Sequence, residues 1–423
     1  MPSDNNVIAV AGAGVAGLLA AVHAAELGAK VHLFEKMDRI GLKMGITGKG
    51  RCNLTNSAPI ADFIGKTPGN GKFLYSAYRN FSNADLMNLL HSWGMETVTE
   101  RGGRVFPKSE DAQDVRRLFL RKLEETGVVL HLSDPVHRIV TEGGRVAAVE
   151  TSRGRLAVRA CLIATGGKSY PRTGSTGDGY RMAEALGHTV TKLRPALIPL
   201  VCANAYCKEL QGLSLRNVTL SLSAGGRRKA SMQGEMIFTH FGVSGPIVLS
   251  LSDQASLWLS QGHAVTGEIN LKPALSEEVL DKRILRDLAK FHLKQMRNAL
   301  AELLPHRLID VILHMSDIAP DIPVSELTRQ QRANLRYAVQ HMPLAVTGTR
   351  PIEEAIVTAG GVSVKEIQSS TMESKLVPGL YFAGEVMDVH AFTGGYNLQA
   401  AFSTGWTAAE HMVRALSESV PSL

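Results

Sequence analysis

Val7-Ile8-Ala9-Val10-Ala11-Gly12-Ala13-Gly14-Val15-Ala16-Gly17 decides the fold. The apolar run Val7–Val10 reads as a strand, the G-x-G-x-x-G string as a tight loop, and Val15–Leu27 as a helix. In such a loop the first glycine permits the turn and the second lets backbone approach a pyrophosphate. The third lets helix pack against strand, with the helix N-terminus facing the anion. A second strand, Lys30–Phe34, leads to Glu35, eighteen residues beyond Gly17. A carboxylate there accepts hydrogen bonds from both hydroxyls of an adenosine ribose lacking a 2′-phosphate. Glycine-rich turns also occur without ligands. Strand, loop, helix, strand and acid in register point instead to a dinucleotide site. Its expected contacts are Gly12, Ala13, Gly14, Ala16, Gly17, Glu35 and Lys36.

The 423 residues leave room for two or three domains. Scarce aromatics, plentiful glycine and ordinary charge fit a soluble α/β enzyme. No stretch is apolar enough to span a membrane, and Met1–Asn6 shows no basic start to a signal peptide. Cys52, Cys161, Cys202 and Cys207 form no C-x-x-C pair, so a reducing cytoplasm and no metal site are expected. The net charge of +7 is uneven: residues 36–121 carry fourteen Lys/Arg against eight Asp/Glu, and residues 192–272 eight against four. Such segments suit a polyanionic substrate, RNA included, although a merely basic surface has the same composition.

Four glycines (41, 45, 48 and 50) precede Arg51-Cys52-Asn53, a loop whose free amides can line a ligand. Cys52 beside Arg51 is the cysteine expected in an electropositive setting; a structural thiol is the other reading. Cys161-Leu162-Ile163-Ala164-Thr165-Gly166 is a strand ending in small residues, as is Leu380–Gly384 before Glu385, an acid suited to ribityl hydroxyls. A helix from about Asn397 to Leu416 would aim its N-terminus at an electron-rich ring edge. Between these, residues 197–272 read as a β-barrel or sandwich, with a basic turn Gly225–Lys229. His240 lies in a glycine-bounded turn of this region, where a structural histidine is equally at home. Residues 276–342 read as helical, capped by Ser276 and by Thr328 with Gln331. Arg283, Arg286, Lys290, Lys294 and Arg297 follow helical spacing, as a solvated face or a phosphate-tracking ridge.

The segments Gly48–Asn56, Gly102–Pro107, Gly166–Pro171, Thr239–Pro246 and Thr393–Gln399 resemble the BaiN/YhiN-like flavoproteins, also labelled NAD(P)/FAD-dependent or aminoacetone oxidase-like, over nearly the whole chain. The resemblance implies an α/β fold: a Rossmann-like FAD-binding domain of the two-dinucleotide-binding-domain type at 1–194 and 346–423. It places an inserted β-barrel at 195–275 and a helical subdomain at 276–345. FAD contacts are expected at the glycine loop, Glu35, Lys36, Gly50, Arg51, Cys52, Asn53, Val136, Ala164, Thr165, Gly166, Gly384, Glu385, Asn397, Leu398 and Gln399. One branch of the family reduces a uridine of large-subunit ribosomal RNA to dihydrouridine, and another is linked to bile-acid dehydroxylation. The leading expectation is therefore uridine reduction, with Cys52 as first proton donor, His240 and His390 as rivals, and Tyr170 or Tyr396 orienting the base. The alternatives are a small-molecule flavoenzyme, reducing an enone or oxidising an amine, and a flavin-holding RNA-binding or ribosome-assembly factor. NAD(P)H would act as an external reductant, because the chain holds one G-x-G-x-x-G loop.

Overall fold

The computed structural model describes residues 7–226 and 228–418. Met1–Asn6, Arg227 and the Arg228 side chain, read above for a leader and a basic turn, lie outside the described residues. The chain separates into two units: residues 1–194 with 352–423, and residues 195–351.

The first unit runs through β1 (Val7–Ala11), α1 (Val15–Glu26), β2 (Lys30–Glu35), α2 (Tyr75–Asn80), α3 (Ala112–Glu125), β3 (Val129–Leu132) and β4 (Ala160–Ile163). The second comprises β5 (Leu200–Cys202), α4 (Tyr206–Glu209), β6 (Ser214–Ala224), β7 (Arg228–Thr239), β8 (Gly242–Ser244), α5 (Pro246–Ser260), β9 (Val265–Asn270), α6 (Glu277–Lys290), α7 (His306–Met315), α8 (Arg329–Gln340) and β10 (Met342–Thr349). The chain then returns to the first unit with β11 (Leu380–Phe382) and α9 (Tyr396–Glu418).

In the first unit five strands form one parallel sheet in the order β11-β4-β1-β2-β3. β1 and β4 are buried along their whole length, which is why both read as continuous apolar runs rather than alternating ones. Helix α1 is buried from Val15 through His23 to Ala24, so it lacks the polar face of a surface helix. Its neighbour α9 reaches it through Gly405, where a Cβ would lie 2.4 Å from the Ala16 carbonyl oxygen.

Near the β3 edge of the sheet, His32 Nδ1 lies 3.0 Å from His131 Nε2, and the His131 ring stacks on Phe34 at 4.4 Å. Burial lowers the pKa of both histidines, and His131 lowers that of His32 further. The folded protein therefore resists protons that the unfolded chain accepts. Stability from this pair is complete above the unfolded value of about 6.5 and is lost as pH falls through the folded values. Urea midpoints measured from pH 8 to pH 5 should decline, and more gently in a His32→Gln/His131→Gln variant. Equal slopes would remove the pair from the acid response.

In the second unit six strands close an antiparallel barrel in the order β5-β8-β7-β6-β9-β10. Leu280, Ile284, Leu308, Ile312, Leu335 and Val339 of the helices share one core with Leu220, Phe238, Ile269 and Leu344 of the barrel. The helical stretch does not stand on a core of its own, and β10 runs across the 345/346 boundary drawn from the sequence. Ser276 accepts the Val279 N–H at 3.3 Å, and Thr328 and Gln331 form a reciprocal cap. The cationic ridge does not form. Helix α6 stops at Lys290, and Arg297 belongs to a separate turn, Met296–Ala299. Its charges are occupied: Arg283 and Arg286 with Asp287, Lys290 with Glu302, Arg297 with Asp310, and Lys294 over the Phe291 ring.

Candidate cofactor site

The carboxyl end of β1 turns into α1 at Gly12, whose φ of +106° and 2.8 Å N–H bond to the Phe34 carbonyl require glycine. A Cβ at Gly17 would sit 1.9 Å from the Gly12 carbonyl oxygen, so the first helical turn presses against the loop. At Gly14 a Cβ would meet nothing within 4 Å. Gly14 is also the N-cap of α1: no side chain caps this helix and no acid lies in its first turn. The positive end of a buried twelve-residue helix thus opens onto a space bordered by glycine, as a pyrophosphate requires.

Glu35 lies at the neighbouring strand end, 9% exposed. Its Oε2 accepts the Ala13 N–H and its Oε1 the Met37 N–H, both at 2.9 Å. Burial pushes its pKa up, and the two N–H groups oppose that shift. Each oxygen keeps a lone pair for a ribose hydroxyl. Lys36 donates to Thr176 Oγ1 and Asp178 Oδ2, each at 2.6 Å. A cavity of about 450 Å³ follows, lined by Lys36, Val136, Ile139, Asp178 and Met182 among others. Its size suits a ligand of nucleoside class.

Beyond β4, Ala164-Thr165-Gly166 passes the loop closely: a Cβ on Gly12 would lie 2.6 Å from the Ala164 carbonyl oxygen. The Thr165 and Tyr180 hydroxyls are buried without hydrogen-bond partners among the described residues. Such groups cost about 1–3 kcal/mol each when unsatisfied, and a polar cofactor chain offers them acceptors. Together with the open helix N-terminus, these hydroxyls fit the cradle to a dinucleotide cofactor such as FAD.

Glu385, expected to bind ribityl hydroxyls, is already engaged. Its Oε2 accepts Lys43 Nζ at 2.6 Å, and its Oε1 accepts the Thr358 N–H at 2.8 Å and the Ser169 hydroxyl at 3.2 Å. Lys43 also donates to Ser169 Oγ at 2.7 Å. Lys43, Ser169 and Thr358 were missed in the sequence because their partner lies far along the chain. Gly384 has a φ of +75°, and a Cβ there would crowd the Ala16 side chain at 3.2 Å.

At the ring end, the backbone of residues 48–52 is left-handed at Gly48, Lys49, Gly50 and Cys52, with φ between 58° and 89°. Arg51 does not bring positive charge to Cys52. Its guanidinium bonds Glu100 at 2.7 Å and Glu110 at 3.1 Å and lies over Phe106. With the Asn53 amide nitrogen toward the Val105 and Thr55 carbonyls, its oxygen accepts the Gly395 N–H at 3.0 Å. Asn397 bonds the Ala391 backbone, and Gln399 bonds Thr55, Phe81 and Ser403. The side chains of Asn53, Asn397 and Gln399 therefore tie two loops to the start of α9 instead of reaching outward. Leu398 is half-buried in that first turn, and the helix dipole is what remains to face a ring.

The proton-donor expectations separate. Cys52 has no exposed surface, sits in the apolar core, and burial pushes its thiol up to about 12. Its sulfur is packed among core side chains, and its backbone is left-handed, with a φ of +62°. Cys52→Ala should keep turnover within a few-fold of wild type; a loss of several orders of magnitude in kcat would return Cys52 to the chemistry. His390 is 7% exposed, and Tyr396 likewise. His240 is exposed at the turn between β7 and β8, and Tyr170 is half-buried with a φ of +53°. No helix among the described residues is long and apolar enough to cross a membrane, and no three of their His, Cys, Asp and Glu side chains cluster as metal ligands would.

Residues 6–411 match the family described as HI0933-like protein Rossmann domain. The chain is 31% identical over 415 residues to the 3-dehydro-bile acid delta(4,6)-reductase of Clostridium scindens, covering 95% of this chain and 98% of that one. It is equally, 31%, identical over 410 residues to the ribosomal RNA dihydrouridine synthase of Escherichia coli, covering 96% and 98%. Among solved structures, 3-ketosteroid delta1-dehydrogenase from Sterolibacterium denitrificans shares the fold, with a TM-score of 0.52 at 14% identity over 97% of this chain and 99% of that one.

Proposed function

The chain belongs to the HI0933-like family of FAD-dependent oxidoreductases, and from that premise we propose that it reduces the C5=C6 bond of a uridine in large-subunit ribosomal RNA. The observation that carries this reading is a cation–aromatic strip. Lys72, Tyr75 and Arg79 recur at helical spacing across residues 71–80, so they share one face leading into and along α2. All three are exposed, Tyr75 by 53%, and Arg79 lies over the Tyr75 ring. Among the described residues none of these cations has a carboxylate partner, nor has exposed Lys49 on the left-handed loop. That separates them from the paired cations of α6. Exposed cations interleaved with a stacking surface suit a splayed single strand more than an apolar steroid.

Bound FAD supplies the hydride chemistry of such a reduction, and NAD(P)H is the proposed external reductant. The chain's part is to hold the cofactor through the α1 N-terminus, Glu35 and the Thr165 and Tyr180 hydroxyls, to engage phosphates, and to protonate C5. Of the proton-donor candidates, His240 has the exposure that a large substrate demands. A ribosomal substrate also goes with a cytoplasmic location.

Nucleoside mass spectrometry of large-subunit ribosomal RNA from a deletion strain tests the reading. Dihydrouridine should disappear, and the wild-type gene should restore it. A Lys72→Ala/Arg79→Ala variant should bind the RNA with a log K–log salt slope shallower by about 1.5, reflecting two lost phosphate contacts. Unchanged dihydrouridine in the deletion strain would sink the reading in favour of the small-molecule alternative, in which a cyclic enone is reduced. RNA binding with rescue of strain growth by a variant that cannot be reduced would favour the assembly-factor alternative.

A further inference from the structure

The loop at the ring end of the cradle presents a tip, residues 46–50, between two anchored flanks. On one side Met44 is buried in the core, and Lys43 donates to Ser169 Oγ and Glu385 Oε2. On the other, Arg51 bonds Glu100 and Glu110 and lies over the Phe106 ring. Two bonds close the tip itself. Thr47 Oγ1 donates to the Met44 carbonyl at 2.8 Å, and the Cys52 N–H donates to the Thr47 carbonyl at 3.0 Å. A Cβ on Gly48 would lie 2.7 Å from Phe106 Cε1, so the tip rests on that ring.

From this frame two side chains reach water. Ile46 is 46% exposed, whereas Met44 and Leu54 of the same stretch are buried. Lys49 is exposed, and among the described residues it has no carboxylate partner. Its φ of +62° is a left-handed backbone that lysine rarely adopts. Strain of this kind gathers where a loop meets a ligand. The surrounding segment, residues 36–121, carries fourteen Lys/Arg against eight Asp/Glu, which favours a polyanion over a neutral partner.

We propose that Ile46 is a positioning residue that enters the base stack of the RNA and fills the place of the unstacked uridine, with Lys49 on a flanking phosphate. The inference rests on the uridine reading given above. Chemistry on a base requires that the base leave its stack, and isoleucine is among the apolar side chains that enter such gaps. The anchored flanks contribute directly, because ordering a loose loop on contact would forfeit much of the gain.

The test uses the flavin-loaded full chain, reduced with dithionite and freed of excess, in single-turnover reactions. One substrate is large-subunit ribosomal RNA from the deletion strain, and mass spectrometry of its nuclease fragments locates the dihydrouridine formed. The other is an unstructured oligonucleotide carrying the same uridine and its neighbours. Ile46→Ala should slow reduction of the folded RNA about ten- to a hundredfold, and of the oligonucleotide less than about twofold. Ile46→Leu and Ile46→Phe should recover most of the rate on folded RNA, since either side chain fills the gap. Flavin content and melting temperature should match wild type in all three variants. Lys49→Ala should make the log K–log salt slope for the folded RNA shallower by about 0.7, one phosphate contact on a single strand. An unchanged slope overturns the part given to Lys49. Equal slowing on both RNAs, slowing accompanied by loss of flavin, or no slowing overturns the part given to Ile46. So does a wild type that reduces the folded RNA but not the oligonucleotide, because an unstacked uridine should need no insertion. A wild type that forms dihydrouridine in neither RNA fails the uridine reading itself, a result distinct from these.

Discussion

Gly17→Ala is expected to yield protein without flavin, unfolding at a markedly lower temperature. The new methyl group would lie 1.9 Å from the Gly12 carbonyl oxygen, and that neighbour is backbone, not the movable end of a side chain. Either α1 lifts from the loop or the loop abandons the conformation fixed by Gly12 and its bond to Phe34. Lifting α1 separates surfaces that bury Ala16, Leu18, Leu19 and Val22, and overpacking of this kind costs about 1–3 kcal/mol or more. It would also displace the N-terminal amides proposed to hold a pyrophosphate. Flavin absorbance relative to protein and a thermal melt measure both effects. A variant that retains stoichiometric flavin with an unshifted melt would show that the loop has slack absent from this geometry.

The second large effect is expected at the ion pair between Lys43 and Glu385. The two side chains are 23% and 17% exposed, and Glu385 gathers donors from Lys43, Ser169 and Thr358. Glu385→Ala leaves a half-buried ammonium and a backbone N–H without their acceptor, and Lys43→Met leaves a half-buried carboxylate. Each should cost about 1–3 kcal/mol, discounted from a fully buried pair because water reaches both groups. If the pair holds the loops at the ring end, flavin dissociation constants should rise about ten- to a hundredfold in either single variant. The double variant should then fall well short of the sum. Strictly additive losses would mean that the two residues act separately.

The glycine loop, the strand ending at Glu35, the small-residue strand ends and the long final helix were legible because each depends on neighbours within a few residues. The barrel was legible as strands, but not as the owner of the helices that follow. Leu280, Ile284 and Leu288 announce an amphipathic helix without saying which core receives them. The cationic ridge failed for a tertiary reason. No glycine or proline interrupts Lys290–Arg297, yet backbone bonds from Met296 to Ile322 and from Val324 to Lys294 draw that stretch out of the helix. The setting of Cys52 was hidden in a similar way: a glycine-rich stretch reads as an open loop beside Arg51, yet the thiol is buried and Arg51 is taken up by Glu100 and Glu110. Lys43 was silent because half of its meaning is an acid 342 residues away.

The parallel sheet of the first unit imposes an order on biosynthesis. β1, β2, β3 and β4 leave the ribosome before the barrel, but β11 and α9, which complete the sheet and cover α1, are made only after residues 195–351. The contiguous second unit can fold as it emerges, while the first must wait with an apolar strand and a helix exposed. Flavin capture is therefore expected late in the life of each molecule. A nascent chain interrupted inside the barrel would carry the whole glycine motif without β11 and α9, and should hold no cofactor, so flavin content should report completed synthesis as well as correct folding.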